Sequence, residues 1–284
     1  MKRFIFFGSI TMLLFQCKPI NTLERNSLVN STPFGVCYAK VTPQQVSEYE
    51  MVVIEPDFFS KPEMDALKAT GTKIIAYTTL GEIDPNRWYF PMMEARGFIG
   101  INQNWGSSYV DLSDSVNRSI ILDKVIPEII VKGVDGIFLD TIDAVAPYTE
   151  RSYLEPYMVE LIKEIRIRYP ELIIIQNAGL FLLDETNSFV DAVLVESIAS
   201  GYDFENQEYL IRDLAAFNSR TEMLLSVTDE YDLPVFLIDF SNSNEGTSEI
   251  RQRLDGLGYP YFISNISLTE LPEDPKLVSN KVEK

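Results

Sequence analysis

The stretch GVDGIFLDTIDAV occupies residues 133–145. Ile137, Phe138 and Leu139 read as the middle of a buried strand, and Asp140 and Asp143 stand at its end. Burying an unpaired charge is expensive, so two carboxylates closing a core strand imply a use for them there.

Similar short runs recur on either side. They are GVCYAK (35–40), MVVIEP (51–56), KIIAYTT (73–79), GIFLDT (136–141), LIIIQN (172–177), AVLVES (192–197), PVFLID (234–239) and PYFIS (260–264). The runs are continuously apolar rather than alternating, which marks strands buried on both faces of a parallel sheet. Helical patterning falls between them at 61–69, 115–132, 150–169, 206–218 and 246–256, with Gly71, Gly133 and Gly258 placed as helix stops. Pro127 implies a kink or break in the second of these helices. Eight strands alternating with helices over one domain predict an α/β fold, a (β/α)8 TIM barrel. A doubly wound sheet would carry a Gly-rich phosphate loop after its first strand, and residues 35–40 hold none. The irregular stretch 80–114, with Trp88, Trp105 and the extended piece YVDL (109–112), is expected to be an insertion over the barrel mouth.

The chain has 284 residues, 46% hydrophobic and 23% charged, enough apolar material for one large core. It contains no histidine. That excludes a Ser-His-Asp triad, a Cys-His dyad, a His-ligated zinc and a histidine base. Proton transfer falls to the 42 carboxylates. A net charge of −18 opposes binding to nucleic acid and would attract a cationic substrate.

Lys2 and Arg3 followed by an apolar run over 4–15 match a secretory signal peptide, residues 1–16. The run is short for a spanning helix, which takes about 20 residues. Cys17 would then be the lipidated N-terminus of a bacterial lipoprotein, with residues 17–33 as tether, 34–268 as barrel and 269–284 as a polar tail. Gln16 departs from the small residue usual before such a cysteine. Loss of Lys2 and Arg3 leaves 22 basic residues against 42 acidic ones, a mature charge of −20. Cys37, the other cysteine, is expected to be an inert core thiol. The expected protein is an exported monomer that meets a membrane only through its lipid.

In a barrel the C-terminal strand ends carry the chemistry. Those ends offer Tyr38, Glu55 and Asp57, Glu82, Asp140 and Asp143, Asn177, Glu196 and Asp239. One acid there could simply cap a helix. A ring of acids suits a site where carboxyl pKa values are driven apart for acid–base work. Glycoside hydrolysis by two carboxyls and chemistry at an oxygen-ligated metal both fit. Tyr38, Tyr77, Trp88, Tyr89, Trp105 and Tyr109 lie at or near the mouth, and the strand ends offer only Lys40 and Arg87 as cations. Flat rings suit sugars, and few cations oppose phosphate. The reading is therefore a glycosidase that needs no cofactor and no metal. A non-catalytic carbohydrate-binding barrel and a metal-dependent hydrolase are the alternatives.

Four segments in order, AYTTLGE, SSYVDLSDS, GVDGIFLDTIDA and AVLVES, resemble the endo-α-1,4-polygalactosaminidase family, glycoside hydrolase family 114. The resemblance covers about residues 33–265. It implies a (β/α)8 barrel, a catalytic pair at Asp140 and Glu196, further cleft acids at Glu82, Asp111 and Asp143, and a partly deacetylated galactosamine polymer as substrate. Thr141–Ile142 and the large loop around Trp105 depart from the family pattern. Tyr38, Asp57, Tyr77, Trp88, Trp105, Asn177 and Asp239 complete the expected substrate-binding set. Strands four and six are two apart, so side-chain lean decides between about 5–5.5 Å for retention and about 6.5–9.5 Å for inversion. Retention is the expectation, with Asp140 as nucleophile and Glu196 as acid/base. Asp135, by contrast, reads as a structural residue of the 133–136 turn.

Overall fold

A computed structural model describes residue 28 and residues 31–280. The expected signal peptide and Cys17 lie outside those residues. Eight strands form one sheet: β1 (Phe34–Cys37), β2 (Met51–Ile54), β3 (Lys73–Thr79), β4 (Gly136–Asp140), β5 (Ile173–Asn177), β6 (Ala192–Glu196), β7 (Val235–Phe240) and β8 (Tyr261–Ser264). They pair in chain order, every pair parallel. Nearly all their residues are buried, as the continuous apolar runs required. Cys37 is buried among them.

The barrel is nearly closed. Among the described residues no ladder joins β8 to β1. Instead the Phe34 ring of β1 sits 5.0 Å from Phe236 and 6.2 Å from Phe262. The stretch expected to be a polar tail fills the seam as far as residue 280, which corrects that expectation. Ile263 N donates to Val278 O at 2.7 Å and Tyr261 N to Asn280 Oδ1 at 2.8 Å. Leu271 is buried against Gly35. The apolar residues Leu271 and Val278, scattered among charges, hold it down. The end of the expected tether also packs: Leu28, Ser31 and Thr32 are buried.

Helices Lys61–Lys68, Glu155–Arg168 and Asn244–Asp255 stand where their patterning placed them. Gly71, Gly133 and Gly258 take positive φ. Pro127 neither breaks nor sharply ends its helix. Ser115–Ile120 runs through a π-helical turn, Ile121–Val125, into Ile126–Val131. One widened turn absorbs the missing N–H and the ring clash. The expected helix over 206–218 is wrong in its first half. Ser200–Asp203 and Glu208–Ile211 form an antiparallel hairpin. Asp213 then caps a helix, Leu214–Tyr231, accepting from Ala216 N at 2.8 Å. Asp135 is structural: it accepts from Ile74 N at 2.9 Å and pairs with Lys68 at 2.8 Å.

Candidate active site

Strands β4, β5 and β6 end in Asp140, Asn177 and Glu196. The residue after each has left-handed backbone: Thr141 (φ 61), Ala178 (φ 49) and Ser197 (φ 59). None is glycine, so each turn costs on the order of 1 kcal/mol. Three such corners in a row turn the chain sharply away behind its polar residue.

The three side chains meet. Asn177 Nδ2 donates to Asp140 Oδ1 at 2.7 Å and to Glu196 Oε1 at 2.8 Å, so those two oxygens stand no more than 5.5 Å apart. Tyr77 OH donates to the other Asp140 oxygen, Oδ2, at 2.8 Å. Tyr38 packs edge-on against Tyr77, centroids 4.7 Å apart. Burial, and then the charge of Asp140, hold both phenols well above their ordinary range, so Tyr77 remains a donor. Glu196 Oε2 takes no protein hydrogen bond among the described residues.

Burial, and then the neighbouring Asp140 carboxylate, push Glu196 up to about 7. Asp143, set down within the mouth though open to solvent on one side, is pushed up to about 6 by its surroundings and by Asp140 and Glu82. Raised carboxyls favour the folded state while protonated. Their stabilisation is present below the ordinary value of 4.5 for Glu and lost as pH rises through about 7. For Glu196 the loss is on the order of 3 kcal/mol. We therefore expect the melting temperature to fall between pH 5 and 8, and to fall much less for Glu196→Gln. Equal slopes in the two proteins would contradict that shift.

The insertion supplies the next wall. Glu82–Ile83 pairs antiparallel with Ser108–Tyr109. The buried Glu82 carboxylate is held by Asn102 Nδ2, 3.1 Å from each oxygen, and by the Ser107 hydroxyl. Neither Asn102 nor Ser107 carried a signal in the sequence beyond lying in the insertion. Thr141, the departure from the family pattern, has a clear task. Its hydroxyl accepts from the N–H groups of Leu80 (3.2 Å), Gly81 (2.8 Å) and Glu82 (3.1 Å), which ties the end of β3 to Asp140. A Cβ on Gly81 would lie 2.4 Å from Thr141 O and 2.7 Å from Ala144 Cβ. Gly81→Ala should destabilise by about 1–3 kcal/mol through overpacking. Urea unfolding checks this, and an unchanged midpoint would show that the clasp yields freely.

Other expected residues divide. Arg87 grips Glu55 through two bonds of 2.6 Å, reaches Asp57 at 3.1 Å and lies 5.2 Å from the Tyr77 ring. Trp105 is half exposed and packs edge-on against Phe204 of the hairpin after β6, centroids 5.1 Å apart. Insertion and hairpin thus meet through these rings, and Phe204 was missed. Trp88 is 44% exposed. One expected substrate contact, Asp239, is corrected. Asp239 is fully buried, and its carboxylate accepts from the N–H groups of Ile198, Ala199 and Ser200 and from the Ser200 hydroxyl. It anchors the backbone just after Glu196, out of reach of a ligand. Asp111 spends Oδ1 on Ser113 N (2.9 Å) and Ser113 Oγ (2.6 Å), shaping a turn.

Comparison with known proteins agrees with this geometry. A sequence profile described as glycoside-hydrolase family GH114 matches residues 22–274. An uncharacterized protein of Deinococcus radiodurans is 24% identical over 270 residues, 89% of this chain and 84% of that one. The glycoside hydrolase domain of PelA from Pseudomonas aeruginosa superposes with a TM-score of 0.75 at 25% identity, covering 84% of this chain and 97% of the domain. Aspergillus fumigatus Ega3, solved in complex with galactosamine, shares the fold with a TM-score of 0.64 at 15% identity, covering 84% and 93%. With the match spanning nearly the whole barrel, the chain belongs to glycoside hydrolase family GH114.

Proposed function

We propose that the protein hydrolyses an α-1,4-linked galactosamine-type polymer with retention at the anomeric carbon. One observation supports the pairing most strongly: a single amide nitrogen bonds both Asp140 and Glu196. The resulting ceiling of 5.5 Å on one oxygen pair fits the roughly 5–5.5 Å of retaining enzymes better than the roughly 6.5–9.5 Å of inverting ones. Asp140 attacks the anomeric carbon as the glycosidic bond breaks, and Glu196 gives its proton to the leaving oxygen. Glu196 then takes a proton from water, which attacks the same carbon and frees Asp140. A Glu held near 7 is partly protonated at neutral pH, as the first step needs. Asp143 and Glu82, on the same rim, favour a substrate that carries amines.

A screen for reducing-end release tests the substrate. The galactosamine polymer should be cleaved faster than chitosan-like or neutral chains. Cleavage of the neutral chain alone would contradict the reading. We further propose export and anchoring through Cys17. Cys17→Ala should move the protein from the membrane to the soluble fraction, and unchanged fractionation would refute the anchor.

A further inference from the structure

A cavity of about 440 Å³ opens on the flank of the barrel, lined by Asp57, Asn86, Trp88, Glu128 and Lys132. It belongs to the outside of the molecule. Glu128 stands on the outer helix Ile126–Val131, and Lys132 follows it and donates to Pro56 O at 2.9 Å. The catalytic pair is connected to it only in steps: Asp140 to Tyr77, Tyr77 to Arg87, Arg87 to Asp57.

The ring at this cavity is unusual. Trp88 is one of only two tryptophans, and nearly half of its surface is open. Its ring is braced edge-on by the buried Tyr89, centroids 5.3 Å apart at 75°. A braced, half-open indole over a polar cavity forgoes burial that would otherwise stabilise the fold, and such concave sites with few polar groups around an apolar wall hold ligands. The lining also selects the ligand. Asp57, Asn86, Glu128 and Lys132 surround the ring, so the pocket offers both donors and acceptors. That combination suits a hydroxyl-rich ring with an amine and a flat C–H face. A phosphate would meet the −18 field of the whole chain.

We propose that this flank pocket is a second carbohydrate-binding site, which holds a hexosamine unit of the polymer away from the catalytic pair and so favours long chains over short ones. The proposal rests on the polysaccharide substrate given above. Two readouts test it, with a long, partly deacetylated α-1,4-galactosamine polymer and its four-unit oligosaccharide as probes. The first is calorimetric affinity for the polymer in a Glu196→Gln background, where turnover is suppressed. The second is the long-to-short ratio of kcat/KM. Trp88→Ala should lower both by about tenfold, the scale of one aromatic contact. Trp88→Phe should recover part of the loss. Glu128→Gln, a change at an exposed side chain, should lower polymer affinity in the same direction. Parental affinity and ratio in Trp88→Ala would overturn the site. If the wild type releases no reducing ends from either probe, the substrate reading falls, and the site stands only if polymer binding still depends on Trp88. A polymer that binds neither the Glu196→Gln protein nor its Trp88→Ala derivative overturns both.

Discussion

Glu196→Gln is expected to lower kcat/KM on the galactosamine polymer by about 10²–10⁴-fold, the range for removing a general acid. The substitution keeps the shape of the side chain, and its amide oxygen can still accept from Asn177. What it removes is the proton that stands ready on a group held near pH 7. Two further readings separate this from simple damage. A substrate with a leaving group that needs no protonation should recover most of the first step. The alkaline fall of kcat/KM, set in the wild type near pH 7 by ionisation of Glu196, should disappear. Asp140→Asn should be as damaging on both substrates, because it replaces the attacking carboxylate with a neutral amide. A wild-type rate in Glu196→Gln on the unactivated polymer would remove Glu196 from the mechanism.

Asn177→Ala should have the second largest effect. Asn177 does more than fill the space between two acids. By donating to Glu196 Oε1 at 2.8 Å it leaves Oε2 as the oxygen free to carry the acidic proton. The same nitrogen, with Tyr77, gives both oxygens of Asp140 a donor. Without it the two carboxyls lose their common tether, and a displacement of about 1 Å at a reacting group can cost about 10²-fold. The donor also favours ionised Glu196, so its loss should carry the alkaline limb of the pH profile upward. A variant that merely folds less well would lose rate without that shift. Wild-type kcat with an unmoved profile would reduce Asn177 to packing.

Much of this was legible from strand ends. Continuous apolar runs gave the parallel sheet, and the barrel rule then sent Asp140, Asn177 and Glu196 to one rim. The same rule misassigned Asp239. Its position in the run PVFLID looks like the others, but the chain after β6 folds back onto it and uses up its carboxylate. Nothing local to Asp239 in sequence announces contacts forty residues away. Asn102 and Ser107 were silent for the same reason, since only the insertion's path brings them to Glu82. The hairpin at 208–211 was read as helix because its helical-looking neighbours begin only at Leu214. Its own residues Tyr209 and Ile211 point inward alternately, a period of two over too few positions to stand out. The tail was read as polar from its charges, while two apolar side chains, Leu271 and Val278, decide where it lies.

The most direct measurement is proton NMR of the reducing ends in the first moments of polymer cleavage. Double displacement through Asp140 predicts that the α-anomer appears first and the β-anomer only later, by mutarotation. A β-anomer released first, or no release from the galactosamine polymer at all, would contradict the account of a closely set carboxyl pair at residues 140 and 196.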